Sequence, residues 1–323
     1  MTSIARGRYI EHTETSTRTT RSPVLDLTDS RARPRSRPGR RGAPLPTLLV
    51  LALLGLAAGA GASPALPPAD AAARKAAEEY RLLLLPEPEL AAIGGKAEPL
   101  PLAVLARASL LASGLGPGPE AAPGAEAAAA ARLASYEARL GRLLDELALA
   151  VEAAPPRGGA GPRSEAEKAE AALAYLHAKV FRRYELDATT IDLVLDEGKY
   201  NCVSSALLYL LAMKRLGVEA AGVRTEDHAF CLVRTEGRDI DVETTNAYGF
   251  DPGRKKEFAD AFGKVTGYSY VPPGAYARRW TMGERELASL VLSNRAAVLD
   301  AKGRFREALS LGASYAALRG GLG

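Results

Sequence analysis

The chain has 323 residues, 47% of them hydrophobic, and a formal net charge of +4. It is long enough for one large or two modest domains. Residues 1–44 hold ten Arg against four acids, a balance of +6, which leaves −2 for everything after them. The basic pI therefore belongs to a leader and gives no ground for nucleic-acid binding by the rest of the chain.

Residues 1–44 are polar and rich in Arg, Thr and Pro, the composition of a disordered basic leader. The run Arg31, Arg33, Arg35, Arg37, Arg40, Arg41 has no interleaved aromatics and directly precedes an apolar stretch. Residues 45–63 contain that stretch, L-L-V-L-A-L-L-G-L-A-A-G-A-G-A, with small Ala60 and Ala62 before Ser63. A positive flank, an apolar core of about 15 residues and a small-residue exit describe a signal peptide. Extended by Leu45 and flanking alanines, the same stretch also fits an uncleaved anchor, although a spanning helix wants roughly 20 residues. Both readings place the chain outside the cytoplasm, exported across or anchored in the cytoplasmic membrane. Membrane contact is expected only through this segment, if it stays uncleaved.

Residues 70–155 form an Ala/Leu-rich helical region. Asp70 caps a helix stopped by Pro86 and Pro88. Residues 102–111 make a second, and residues 125–153 a third with Leu133, Leu140, Leu144 and Leu147 on one stripe. The region carries no evident chemistry and reads as packing or contact with a protein partner. Residues 154–163, A-P-P-R-G-G-A-G-P-R, are a linker. Ser164 with Glu167 makes a capping box, and its helix is expected to run to about Arg183. Thr190 opens a short helical turn closed by Gly198. Residues 202–216, apolar around most of their girth and closed by Gly217, are expected to form the central buried helix. Strands are expected over 220–224, 228–234 and 239–244. Residues 284–301 and 305–318 read as two helices joined around Gly303. The run G-R-F-R-E-A-L resembles the middle of a tetratricopeptide repeat, with Gly303, Phe305 and Ala308 at family positions. One repeat cannot form a solenoid, so the expectation is a helical hairpin packed on the core.

The chemistry-bearing residues fall between Tyr200 and Thr245: Y-N-C-V-S-S-A, then D-H-A-F-C-L-V-R, then R-D-I-D-V-E-T-T. Cysteine, histidine and acid on helix, strand and strand is the order that a thiol nucleophile with a base and an orienting acid requires. The chain has only three histidines, His12, His177 and His228, and His12 lies in the leader. Cys202 opens its helix, where unpaired N–H groups and the helix dipole favour a thiolate. His228 nearby would strengthen that tendency and carry the proton. The Cys202 N–H is a candidate oxyanion donor, with Asn201 or Tyr200 as candidates for a second. The competing reading of Cys202 is a small buried hydrophobe.

The hairpin decides the acid. With Glu236-Gly237 as a two-residue turn, Thr235 pairs with Arg238, Val233 with Ile240, Cys231 with Val242, Phe230 with Glu243 and His228 with Thr245. One face then carries Ala229, Cys231, Val233, Ile240, Val242 and Thr244 and should pack inward. The other carries His228, Phe230, Leu232, Arg234, Asp239, Asp241 and Glu243. His228 and Cys231 point to opposite faces, so a Cys202–Cys231 disulfide and a Cys202–His228 dyad exclude one another. Glu243 lies diagonally beside His228 and is the favoured acid; Asp241, one pair further away, is the runner-up. A three-residue loop would shift this register.

On these residues, positions 164–280 resemble the transglutaminase-like superfamily, whose core is shared with papain-like cysteine enzymes. In that family a nucleophilic Cys begins a helix, a His begins a strand in an H-A-W/F context, and an Asp follows in D-x-T. Here N-C-V-S-S-A supplies Cys202, D-H-A-F supplies His228 and E-T-T supplies Glu243 with Thr245. The acid is Glu rather than Asp, and the Cys-to-His interval is short. The resemblance implies an α+β fold: a central Cys helix packed on a small antiparallel sheet, flanked by N-terminal and C-terminal helices. It implies protease, amidase or transglutaminase chemistry, and the family also contains inactive members.

The loop N-A-Y-G-F-D-P-G follows the acid; Tyr248, Gly249, Phe250 and Gly253 either wall a substrate cleft or make an ordinary turn. The run Y-S-Y-V-P-P-G-A-Y with Trp280 reads as packing between core and C-terminal helices. Dispersed His and Cys offer no metal-ligand spacing, and no phosphate-binding glycine loop occurs, so neither metal nor cofactor is expected. Two functions stand: a thiol hydrolase or acyltransferase acting on a peptide or protein substrate, and a non-catalytic binding module whose helical segments contact a protein partner.

Overall fold

Described by a computed structural model, the chain is placed over residues 90, 93–94, 98–116, 124–157, 161–253, 263–266 and 278–318. The basic leader, the apolar stretch 45–63, the helix expected from Asp70 and the Tyr/Pro run before Trp280 lie outside the described residues. In chain order the elements are α1 (Leu102–Ala112), α2 (Ala125–Ala153), α3 (Glu165–Lys179), β1 (Arg183–Tyr184), α4 (Ile191–Glu197), β2 (Lys199–Tyr200), α5 (Cys202–Leu216), β3 (Ala220–Arg224), β4 (Ala229–Thr235), β5 (Arg238–Val242), β6 (Trp280–Met282), α6 (Glu284–Ala301) and α7 (Phe305–Leu318). The fold class is α+β. A four-stranded antiparallel sheet has the order β5-β4-β3-β6, and β1 and β2 form a separate parallel pair.

The most apolar segment forms the axis of the fold. Every side chain of α5 from Val203 to Met213 is buried. Helices α1, α2, α3 and α6 and strands β3 and β4 surround it. Each fully buried Leu contributes roughly 1.5–3 kcal/mol over its exposed state, which favours this all-round burial. The one hydroxyl on a large buried side chain of α5 is satisfied: Tyr209 donates to the Ala169 carbonyl at 3.0 Å. Gly217 ends the helix at φ +68°, a conformation that suits glycine.

The capping box at Ser164 forms as expected, with the Glu167 carboxylate accepting from the Ser164 N–H at 2.9 Å. Its helix, however, stops at Lys179 rather than near Arg183. Val180 and Phe181 turn into the core, and Arg183–Tyr184 pairs in parallel with Lys199–Tyr200. Gly198 makes this possible: at φ +68°, a Cβ there would lie 2.7 Å from the Val180 carbonyl oxygen. Two-residue strands carry no alternation, so sequence pattern could not reveal them.

The β4–β5 hairpin has the expected register, Thr235 opposite Arg238, Val233 opposite Ile240 and Cys231 opposite Val242. Its inward face is buried as expected. The ladder ends earlier than expected, at Cys231–Val242. Beyond it Val242 bridges to Phe250, so the pairings of Phe230 with Glu243 and His228 with Thr245 are not part of the sheet. Trp280 also departs from expectation. It pairs with Arg224 on an edge strand, is 45% exposed, and lies 5.9 Å from the Arg224 guanidinium.

Helices α6 and α7 form a hairpin around Gly303, at φ +73°. α6 is tied to the axis by an ion pair between Lys214 and Glu284 at 2.5 Å, and the second Glu284 oxygen accepts the Leu100 N–H at 2.6 Å. Among the described residues no helix is long and apolar enough to cross a membrane.

Candidate active site

Asn201 creates the site by ending β2 and starting α5. Its backbone is extended, and its Oδ1 accepts the N–H groups of Val203 at 3.0 Å and Ser204 at 3.1 Å. Ser204 Oγ in turn accepts the Asn201 N–H at 2.9 Å. This reciprocal cap leaves the Cys202 N–H as the first-turn amide without an acceptor among the described residues. Cys202, half-buried, therefore sits at the positive end of a buried 15-residue helix. Cys231 is different. It is fully buried, its Sγ lies 3.3 Å from the Ala206 carbonyl, and burial is the chief cause raising its thiol pKa. Both cysteines are free.

Glu243 follows the last residue of β5 and is 3% exposed. A buried carboxylate is costly unless both oxygens are satisfied, and here they are. Oε1 accepts from the Thr245 hydroxyl at 2.8 Å and the Thr245 N–H at 3.2 Å. Oε2 takes His228 Nε2–H at 2.6 Å. The Cys202 thiol lies close enough to the imidazole to favour its charged form; with Nε2 held by Glu243, Nδ1 is the nitrogen left to face it. Burial disfavours the charged imidazole, but the Glu243 carboxylate and Cys202 outweigh that cost, and His228 is raised well above its ordinary 6.5. Phe230 stacks beside the ring at 6.2 Å between centroids, and the Arg279 guanidinium covers the Phe230 ring at 5.3 Å.

The structure thus brings Cys202, His228 and Glu243 into one line. It does not bring in Asp241, the runner-up acid. Asp241 stands opposite Leu232 and is engaged by both terminal nitrogens of Arg279, Nη1 at 2.8 Å. Asn201 is held in place by both ends of its amide: Nδ2 donates one hydrogen to the Leu186 carbonyl at 2.9 Å while Oδ1 caps the helix. Tyr200 is also committed. Its hydroxyl donates to the Thr245 carbonyl at 3.2 Å, and burial, then the Glu243 charge, push it up to about 12. Tyr248 is 62% exposed, with its N–H donated to Asn246 Oδ1 at 2.9 Å.

Three residues that sequence reasoning missed complete the support of the acid. His177 on α3 reaches the Thr244 carbonyl through Nε2 at 3.0 Å, edge-on to Phe181 and Tyr200. Burial lowers it to about 4, so above that pH it is neutral and donates this bond. Ser205 Oγ lies 2.9 Å from Thr244 Oγ1 and 3.3 Å from the Cys202 carbonyl, linking nucleophile and acid segments. Gly249 accepts the Glu243 N–H on its carbonyl at 2.8 Å, and a Cβ on it would lie only 1.9 Å from the Glu243 carbonyl oxygen. A scarce histidine 13 residues after the capping Ser164 was the one available signal; the serine and glycine gave none for this role. Among the described residues no group of His, Cys, Asp and Glu could hold a metal ion.

Compared with family models, curated proteins and solved structures, the chain has no match. Fold and site therefore define the class from the residues alone: an α+β protein with a cysteine at the N-terminus of its central helix, beside a histidine that is held by a buried glutamate.

Proposed function

We propose that the chain is a transglutaminase-like thiol hydrolase or acyltransferase acting on peptide or amide bonds. The observation that carries this reading is the Cys202–His228–Glu243 line at the N-terminus of the buried helix α5. The Cys202 thiol gives its proton to His228, and the sulfur attacks the carbonyl carbon, forming the C–S bond as the carbonyl π electrons move to oxygen. The resulting oxyanion lies next to the Cys202 N–H, the free amide of the first turn. The His228 imidazolium passes its proton to the leaving amine nitrogen, the C–N bond breaks, and a thioester remains. Water or an acceptor amine then attacks with His228 as base, which regenerates the thiol. Glu243 holds the ring and favours its charged form. The basic leader followed by residues 45–63 supports export or anchoring, with the domain acting outside the cytoplasm on a peptide or protein substrate.

The test is alkylation of the full chain by iodoacetamide, located by peptide mass mapping and followed against pH. Cys202 is expected to react, Cys231 to stay unmodified in the folded protein, and His228→Ala to slow Cys202 by at least about tenfold near neutral pH. A Cys202 that is unreactive, or indifferent to His228, overturns the catalytic reading and leaves a binding module on an enzyme-like fold.

A further inference from the structure

Apolar side chains that face solvent are common singly, but two of the large ones here sit on the two loops that hold the ends of the catalytic line. Leu186 is 64% exposed and Tyr248 is 62% exposed. Neither exposure comes from a loosely held loop.

Leu186 occupies the first corner of a turn closed by the Ala188 N–H on the Glu185 carbonyl at 3.1 Å. That turn is pinned to the start of α5 at three points. The Glu185 N–H donates to the Tyr200 carbonyl at 2.9 Å, continuing the β1–β2 ladder toward Cys202. Asn201 Nδ2 donates to the Leu186 carbonyl at 2.9 Å. Ser204 Oγ donates to the Ala188 carbonyl at 2.8 Å. A turn corner favours Pro or a small polar residue, so turn chemistry does not account for leucine.

Tyr248 is held just as firmly. Asn246 takes its N–H, and the next residue, Gly249, donates to the Asn246 carbonyl at 3.0 Å and accepts the Glu243 N–H. Tyr200 joins the two loops, since its backbone carbonyl carries the Leu186 turn and its hydroxyl holds Thr245.

Resting on the thiol-enzyme reading above, we propose that Leu186 and Tyr248 form an apolar subsite beside Cys202, and that the preferred substrate presents a large apolar group next to its scissile carbonyl. Leu186 lies on the nucleophile side and Tyr248 on the acid side. An aliphatic or aromatic group delivered to the thiol would cover both exposed side chains, gaining hydrophobic contact from each. Specificity would then reside in two fixed loop side chains and leave the helix and hairpin that hold the reacting groups unchanged.

The test compares alkylation of Cys202 in the full chain by iodoacetamide and by N-hexyliodoacetamide, each divided by the rate for glutathione. The wild type is expected to favour the hexyl reagent by roughly five- to tenfold over glutathione's own ratio. Leu186→Ser should lower that preference severalfold with the iodoacetamide rate unchanged, Tyr248→Ser should lower it less, and Leu186→Met should retain it. Both positions are exposed, and circular dichroism with a melting curve verifies that each variant is folded. A wild-type preference equal to glutathione's, or one that survives Leu186→Ser together with Tyr248→Ser, overturns the subsite. That failure is distinct from failure of the thiol-enzyme reading, which shows instead as an iodoacetamide rate indifferent to His228.

Discussion

His228 Nε2 and Glu243 Oε2 lie 2.6 Å apart, yet each residue stands just outside the strand that delivers it. His228 precedes the first residue of β4 and Glu243 follows the last of β5. The β4–β5 ladder ends one pair before Glu243 and the β3–β4 ladder one pair before His228, which frees both side chains from strand alternation and lets them turn toward the start of α5. Removing the carboxylate should therefore change the imidazole more than the fold. In Glu243→Gln the His228 pKa is expected to drop, because the carboxylate attraction that opposes the effect of burial is gone. Imidazole proton shifts followed by NMR against pH measure this directly, and an unmoved titration would remove Glu243 from its orienting role. Alkylation of Cys202 should slow in the same variant.

Much of this was legible because strand period and turn chemistry are local. Glu236-Gly237 set the hairpin register, and register decided that Cys231 packs on Ala206 in the body of α5, away from His228. The acid was legible for a weaker reason. A diagonal neighbour on an ideal ladder happens to lie near where Glu243 goes after the ladder ends. What stayed hidden depends on tertiary closure. The β1–β2 pair is two residues long, β6 is three, and His177 finds Thr244 from 67 positions away. Asn201 and Tyr200 read as candidates for a second oxyanion donor because sequence shows a polar side chain without showing which partners already hold it.

Gly249 is the residue whose replacement should be least tolerated relative to its size. A methyl group there meets the Glu243 carbonyl oxygen at 1.9 Å, and backbone on both sides must move to relieve it. Gly249→Ala is expected to cost about 2 kcal/mol or more in urea unfolding and to slow Cys202 alkylation as Glu243 shifts. A variant with wild-type stability and alkylation would mean that the loop relaxes without moving the acid. Gly253→Ala in the same loop, at φ +47° but with its nearest atom 4.0 Å away, should cost only the left-handed backbone penalty of about 1–2 kcal/mol and leave Cys202 alkylation unchanged.

Asn201 separates capping from catalysis. Asn201→Ala removes the acceptor for two helix N–H groups and the tether to Leu186, and a cost of about 1 kcal/mol or somewhat more is expected. Asn201→Asp keeps the acceptor but turns its second oxygen toward the Leu186 carbonyl at a buried position, so it should recover only part of the stability. An added negative charge next to Cys202 should also slow iodoacetamide, because it opposes thiolate formation electrostatically. If Asn201→Asp is as unstable as Asn201→Ala, the cap is not what the side chain contributes.

His177 and His228 should give the protein a stability maximum bounded by two histidines of opposite sign. His177 is lowered from 6.5 to about 4, chiefly by burial, against a smaller upward pull from the Thr244 carbonyl and Glu243. Below pH 6.5 the unfolded chain binds a proton at this position that the folded chain refuses until about pH 4. Stability is therefore lost as pH falls through that window, by at most about 3 kcal/mol. His228 behaves the other way: burial opposes its charge, but Glu243 and Cys202 raise its pKa overall. Its contribution is complete below 6.5 and disappears as pH rises through the folded value. Melting temperatures from pH 4 to 9 separate the two. His177→Gln keeps a donor for Thr244 without titrating, so its deficit against wild type should shrink or reverse on acidification. His228→Ala should lose the decline on the alkaline side. Parallel pH profiles for wild type and His177→Gln would mean that His177 takes its proton in the folded state as readily as in the unfolded one.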